Sequence, residues 1–280
     1  MINAMQLKSI IKNMAKSKNI SAQIILQTYM MERLLERISV SSYQSKFILK
    51  GGFLIAAIVG LDTRATMDMD ATIVGLPMNA ESISNMLEEI CSIKLKDDIT
   101  FSFKRIEEIR EGSDYNGFRI TLEALYPPMS VPLKIDITTG DKITPKEIDY
   151  EFRLMFEPRI IKVLAYNLET IVAEKLETVI SRGNQNTRAR DYYDVYIIRQ
   201  LQWQNIHMKT LELAFNETCQ VRGTSAIMDR YREILFAVEN SDAMVKLWKD
   251  YQEQFDYAKE IEFKDICVTI LEILDSLSNK

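Results

Sequence analysis

Two aspartates one residue apart follow a glycine pair within residues 50–74. Asp68 and Asp70 precede the strand-like run Thr72-Ile-Val. Side chains alternate along a strand, so both carboxylates are expected on one face. Close carboxylates repel each other unless a cation lies between them, and oxygen ligands of this kind suit Mg²⁺. The stretch therefore predicts a magnesium site.

The glycine pair, Gly51-Gly52, opens an apolar segment with the character of a helix. A turn at a helix N-terminus presents free backbone N–H groups, and these groups bind phosphate well. Magnesium ligands beside a phosphate-binding turn indicate a nucleoside triphosphate (NTP).

A third candidate carboxylate belongs to a short strand predicted over 131–137. Alternation puts Leu133, Ile135 and Ile137 on one face and leaves Asp136 on the other. If this strand lies beside the first, three carboxylates can hold two magnesium ions, as in-line phosphoryl or nucleotidyl transfer requires.

The second half of the chain contains two charges at positions that helical spacing makes apolar. Lys175 falls inside the apolar arc of a helix predicted over 168–182, and Asp191 shares a helix face with Val195 and Ile198. Structural explanations remain open: an ion pair or an extended lysine stem for Lys175, and the helix dipole for Asp191. Both residues are candidates for function, although most such charges are structural.

Composition excludes several other chemistries. The single histidine, His207, argues against Ser-His-Asp triads and histidine-rich metal sites. Three widely spaced cysteines predict reduced thiols and a cytoplasmic protein. We expect no membrane span and no signal peptide, because no apolar run is long enough. The net charge of −5 excludes a protein that coats nucleic acid, though not a local basic patch.

The pattern of elements changes near residue 165 and predicts two domains. Residues 1–165 are expected to form an α/β domain with an N-terminal helical lead-in, and residues 166–280 a helical domain that closes the active-site cleft. Strands are expected over 66–75, 100–106, 116–125 and 131–137, with a hairpin-like connection over 107–115. Residues 159–165 are expected to form a strand or a bridging segment. Helices are expected over 4–18, 21–38, 80–93, 168–182, 189–202, 208–221, 225–236, 241–257 and 264–277. Residues 47–60 hold the glycine pair and the helix that it opens.

Five ordered segments carry a family resemblance: Leu49-Lys-Gly-Gly52, Arg64-x-Thr-x-Asp-x-Asp70, Lys134-Ile-Asp136, Ala173-Glu-Lys175 and Arg188-x-Arg-Asp191-Tyr-x-Asp194. The first two segments together resemble the first motif, and the other three resemble the second to fourth motifs, of the AbiEii/AbiGii toxins. These are the nucleotidyltransferase-like toxins of abortive-infection, type IV toxin–antitoxin systems. The resemblance covers roughly residues 5–202. It implies an α+β fold, in which a polymerase-β-like nucleotidyltransferase domain with a small mixed sheet precedes an all-helical C-terminal domain.

The resemblance also implies roles. Asp68 and Asp70 would bind magnesium, Asp136 would complete the metal site or orient the attacking hydroxyl, and Lys175 and Asp191 would line the same cleft. Nucleotide contacts would come from Lys50, Gly51, Gly52, Arg64, Thr66, Lys175 and Arg190. Two departures stand out: the turn is Gly-Gly where many nucleotidyltransferases have Gly-Ser, and Arg190 replaces a common lysine.

The implied function is magnesium-dependent transfer of a nucleoside monophosphate from an NTP to an acceptor, with RNA such as tRNA expected. A cognate antitoxin encoded nearby would restrain this toxin, without a direct contact being required. Three alternatives remain open: a nucleotide-binding regulator of the same fold without turnover, a phosphotransferase or protein-nucleotidylating enzyme, and an interaction protein without catalysis. The last would leave three strand-borne carboxylates unexplained.

Overall fold

The computed structural model describes residues 3–110 and 116–278. The chain divides into two compact units, one of residues 1–141 and 147–165 and one of residues 142–146 and 166–280. In the described ranges, no helix combines the length and the apolar content needed to cross a bilayer.

The first unit is built on a mixed sheet of seven strands in the order β3-β4-β5-β2-β1-β7-β6. The strands are β1 Phe47–Lys50, β2 Asp68–Ile73, β3 Thr100–Arg110, β4 Asn116–Tyr126, β5 Met129–Thr138, β6 Ile148–Arg153 and β7 Ile160–Ala165. The central pairs β2–β5 and β1–β7 are parallel, and the other pairs are antiparallel. The expected combination of a mixed sheet and helices is thus present, but the sheet is larger than the small one predicted.

One face of this sheet is apolar and the other is polar. In β5, Leu133, Ile135 and Ile137 are buried, whereas Lys134 is exposed and Asp136 half-buried. The helices of this unit are α1 Ala4–Lys18, α2 Ala22–Ser39, α3 Gly51–Val59 and α4 Ala80–Ser92. Helix α2 packs on β5 and β7, and α4 packs on β3. Because a strand alternates its side chains, the candidate aspartates and the apolar core lie on opposite faces.

Helix α2 is buried almost all round and contains ion pairs instead of a purely apolar surface. Arg33 binds Glu32, Glu36 and Glu157, and Arg37 makes a bidentate pair with Asp97. Buried guanidinium groups of this kind require carboxylate partners. These pairs attach the loops before β3 and after β6 to α2, and thereby support the sheet from its apolar side.

The second unit is helical. Its helices are α5 Leu168–Arg182, α6 Ala189–Leu201, α7 Met208–Val221, α8 Ser225–Met228, α9 Tyr231–Glu239, α10 Asp242–Gln254 and α11 Phe263–Ser278. Helix α5 packs on α6 and α7, and α6 packs on α10 and α11. Around Tyr193 of α6, the rings of Trp248, Tyr251 and Tyr257 lie within 5.0–6.5 Å between centroids. This aromatic cluster fixes α6 and therefore the acidic residues that it carries.

Several predicted elements were wrong in type or extent. The glycine pair opens α3, as predicted, but strand β1 before it was not predicted. Strand β6 was not predicted either, because its exposed edge position gives it a polar sequence. The helix predicted over 225–236 is two helices, α8 and α9. The connection predicted over 107–115 is strand as far as Arg110, and residues 111–115 lie outside the described residues.

Candidate active site

The Gly51 turn connects β1 directly to α3, with no intervening loop. Gly51 has φ +68°, a conformation that L side chains rarely adopt. A Cβ at this position would lie 2.0 Å from Oδ2 of Asp70. Both the backbone conformation and the closeness of Asp70 therefore require glycine here.

Gly52 is close to two of the residues predicted to bind nucleotide. A Cβ on Gly52 would lie 3.1 Å from Nη2 of Arg64 and 3.1 Å from Oγ1 of Thr66. Such contacts are tighter than ordinary packing, so a serine would require both neighbours to shift. The departure from Gly-Ser is thus explained by buried Arg64 and Thr66, which occupy the space beside the turn.

The three candidate carboxylates lie on two neighbouring strands. Strand β2 carries Asp68 and Asp70, and the parallel strand β5 carries Asp136 as the register partner of Asp70. Directly paired residues on neighbouring strands point to the same face. Strands β2 and β5 are therefore neighbours, as a three-carboxylate site requires, and all three aspartates share one face.

Five charged side chains form a row across this face, which we call the charged row. Following the strands from β3 to β1, register partners give the sequence Glu107, Arg119, Asp136, Asp70 and Lys50. The two adjacent aspartates thus have a cation on each side. In the row beside it, Lys134 is the register partner of Asp68. The protein offsets its own acidic cluster with basic neighbours, as closely spaced carboxylates require.

Arg119 is the strongest partner of the third carboxylate. Its Nε and Nη2 atoms donate to the two oxygens of Asp136 at 2.8 and 2.6 Å. The hydrogen bond and the charge of Asp136 raise the pKa of Arg119, and the charges of Asp68 and Asp70 add to this effect. Sequence reasoning missed Arg119, because only the strand register brings residues 119 and 136 together.

Lys50 is held by the protein itself. Its Nζ atom donates to Oγ1 of Thr138 at 2.7 Å and to Oδ2 of Asp141 at 2.8 Å. The Thr138 hydroxyl also donates to the same Asp141 oxygen at 2.6 Å, and the Thr72 hydroxyl donates to it too. Burial opposes ionisation of Asp141, yet the Lys50 charge and these donors hold its pKa below the usual value. The predicted nucleotide contact of Lys50 thus competes with a built-in ion pair.

The donor set on this face fits a divalent cation in kind, since Asp68, Asp70 and Asp136 supply the carboxylate oxygens that magnesium prefers. Across residues 3–110 and 116–278, no group of three or more His, Cys, Asp or Glu side chains is arranged to hold a metal ion. The local contacts explain this, because Asp136 binds Arg119 and Asp70 accepts the N–H of Gly52 at 3.3 Å. Each contact occupies a carboxylate that a cation would use.

In the helical unit, the two charges that the sequence singled out separately form one ion pair. Lys175 of α5 donates to Oδ1 of Asp191 on α6 at 2.6 Å and lies 3.2 Å from Oδ2 of Asp194. Both aspartates are buried, and the other Asp191 oxygen has no hydrogen-bond partner within the described structure. One ammonium group thus serves two buried carboxylates, while Arg190 is exposed.

The predicted site residues are divided between the two units. The first unit holds Lys50, Gly51, Gly52, Arg64, Thr66, Asp68, Asp70 and Asp136, and the second holds Lys175, Arg190 and Asp191. Besides Arg119, sequence reasoning overlooked Asp141, the partner of Lys50, and did not assign a role to Asp194. Asp194 ends the last quoted segment and lies three residues after Asp191 on the same helical face, so the sequence already placed the two aspartates together.

The model of the family described as "Nucleotidyl transferase AbiEii toxin, Type IV TA system" matches residues 33–267. No curated protein sequence matches the chain. The match begins after α1 and extends past residue 202. It therefore includes most of the helices after residue 202, which carry none of the quoted motifs.

Two crystal structures from H. pylori are similar in fold. A candidate nucleotidyltransferase has a TM-score of 0.50 at 12% identity, with 92% of this chain and 96% of that chain covered. The protein JHP933 has a TM-score of 0.49 at 12% identity, with 92% of each chain covered. At such low identity the first likeness shows the fold alone.

Proposed function

The chain belongs to the AbiEii family of nucleotidyltransferase toxins of type IV toxin–antitoxin systems, and from this premise we propose a specific reaction. The protein transfers the nucleoside monophosphate of an NTP to an acceptor hydroxyl on RNA, in a magnesium-dependent step. The observation that carries the proposal is the position of Asp70, which touches the Gly51-Gly52 turn and is the register partner of Asp136.

The carboxylates of Asp68, Asp70 and Asp136 would hold the divalent cation, which when bound neutralises charge that develops on the transferring phosphate. The backbone N–H groups of the Gly51-Gly52 turn bind the triphosphate at the start of α3. Asp136 orients the acceptor hydroxyl or receives its proton as the oxygen attacks the α-phosphate. The new P–O bond forms as the bond to pyrophosphate breaks.

Lys175 and Asp191 are assigned to the same reaction as a phosphate contact and its positioning partner. Asp191 holds the Lys175 ammonium group in place through their 2.6 Å hydrogen bond. Arg190, exposed beside them, is assigned to the nucleotide or to the RNA backbone. These roles predict that neutralising Lys175 raises the KM for NTP more than it lowers kcat.

The test is incubation of the purified protein with each α-labelled NTP, magnesium and total RNA. We expect label in RNA with one or a few nucleotides, and none with Asp68→Ala. Asp149→Asn is the matched control, because Asp149 is an exposed strand carboxylate of the same unit. Binding of NTP without release of pyrophosphate would instead support the regulator, and label in protein would support protein nucleotidylation.

The toxin role is tested in cells. Expression of the protein should stop growth, Asp68→Ala should not, and co-expression of its cognate antitoxin should restore growth. The proposal places this activity in the cytoplasm, where NTPs and RNA are present. The three cysteines are unpaired, which supports that placement.

A further inference from the structure

Arg119 occupies the carboxylate that a metal ion would need, and this contact suggests an exchange. Its guanidinium makes a fork-to-fork pair with Asp136, so both oxygens are used. Bidentate pairs of this kind fix geometry as well as charge. While Arg119 holds both oxygens, its charge compensates Asp136 in place of a cation shared with Asp70.

The pair is nevertheless exposed enough to open. The side chain of Arg119 is 46% exposed and that of Asp136 is 17% exposed. Exposed ion pairs contribute little to stability, because water solvates both partners when they separate. A divalent cation coordinated by several carboxylates therefore competes well with a single half-exposed guanidinium.

The charged row also offers Arg119 a second carboxylate. Glu107 on β3 is the register partner of Arg119 on its other side, opposite Asp136. Glu107 already binds Arg105 at 2.6 Å, and its carboxylate can accept further hydrogen bonds. The Arg119 guanidinium therefore remains close to the Glu107 carboxylate when it leaves Asp136, and this proximity lowers the free energy needed to break the Arg119–Asp136 pair.

We propose that Arg119 and a divalent cation compete for Asp136, so that Arg119 is a positioning residue that sets the metal affinity of the site. In the metal-free protein, Arg119 neutralises Asp136 beside Asp70 and prevents repulsion between them. When a cation binds, Arg119 gives up Asp136 and turns towards Glu107. The inference rests on the proposed function only in assigning the three aspartates to metal.

The test is titration of the full-length, metal-free protein with Mn²⁺ alone, followed by electron paramagnetic resonance or calorimetry. Arg119→Ala should bind Mn²⁺ about two- to fivefold more tightly, the range that an exposed ion pair is worth. Arg119→Lys, which keeps the charge and loses the fork, should fall between the two. Lys104→Ala is the matched control, because Lys104 is a cation of the same sheet that binds Glu123 instead.

A double-mutant comparison identifies the carboxylate. In the Asp136→Asn background, Arg119→Ala should raise Mn²⁺ affinity by a smaller factor than it does in the wild-type background. The inference is overturned if wild type binds no Mn²⁺, if Arg119→Ala binds it equally or less tightly, or if Lys104→Ala has the same effect. Since no nucleotide is present, tighter Mn²⁺ binding together with absent nucleotide transfer would leave this inference standing and overturn the proposed function. The reverse pattern would overturn only the inference.

Discussion

Asp70 and Asp136 are direct register partners on two neighbouring parallel strands, although 66 residues separate them in the chain. Their side chains share the polar face of the sheet, and Asp70 also touches the Gly51 turn. Because the fold holds these two carboxylates next to each other, their negative charges repel unless nearby cations compensate them. Arg119 and Lys50, the register partners on either side of the two aspartates, supply positive charge within the protein.

Removing one of these carboxylates should abolish transfer without unfolding the protein. We expect Asp70→Asn and Asp136→Asn each to lower the rate of label incorporation by about 10²–10³-fold, as loss of one electrostatic group in an active site does. The amide keeps the shape of the side chain, so the melting temperature should stay within a few degrees. Activity of Asp136→Asn within twofold of wild type would contradict the role.

Gly51 and Gly75 have similar backbone angles but different surroundings, so alanine variants at the two positions distinguish backbone strain from a clash with a neighbouring side chain. Gly51 has φ +68° and Gly75 has φ +65°, but an added Cβ meets Asp70 only at Gly51 and nothing within 4 Å at Gly75. Both alanine variants should lose about 1–2 kcal/mol of unfolding free energy from the left-handed conformation. Only Gly51→Ala should also displace Asp70 and lower transfer, roughly a hundredfold.

Urea denaturation and label incorporation measure the two effects of these glycine variants separately. Equal activity of Gly51→Ala and Gly75→Ala would show that the contact with Asp70 has no functional consequence.

The buried pair in the helical unit predicts an asymmetry between its two partners. Lys175→Met leaves Asp191 and Asp194 without their shared ammonium, and we expect it to cost about 3 kcal/mol of unfolding free energy. Asp191→Asn leaves Lys175 with Asp194, so a smaller loss of about 1–2 kcal/mol is expected. Lys142→Met is the control: Lys142 pairs with Glu217 at 3.7 Å and is exposed, so it should change stability little. Equal losses for Lys175→Met and Asp191→Asn would argue against the shared ammonium.

Glu32 predicts how stability depends on pH. Burial raises its pKa from 4.5 to about 7, although the charge of Arg33 and the N–H of Met155 oppose the shift. Between pH 4.5 and 7 the folded protein then binds more protons than the unfolded chain, so this group lowers stability as pH rises through that window. The loss contributed by Glu32 should be on the order of 2 kcal/mol.

Urea denaturation at pH 5 and pH 8 tests this. The drop in unfolding free energy between the two should be smaller for Glu32→Gln than for wild type, whereas the exposed control Glu260→Gln should leave it unchanged. An identical pH dependence in wild type and Glu32→Gln would rule out a raised pKa.

The amino-acid sequence by itself determined the local features of this protein. Helical spacing located α1, α5 and α7 to the residue, and alternation assigned Asp68, Asp70 and Asp136 to the polar sides of their strands. The ordered motifs were enough to identify the family, which the family model confirms. These properties depend on neighbours a few residues apart, and period and spacing record them directly.

Only the tertiary structure decided which distant residues meet. Strand order made Asp136 the partner of Asp70, register made Arg119 the partner of Asp136, and helix packing joined Lys175 to Asp191. The sequence marked Lys175 and Asp191 as unusual charges, but it could not show that the two residues form an ion pair with each other. Register and packing depend on the arrangement of the whole chain in space, so no local pattern contains them.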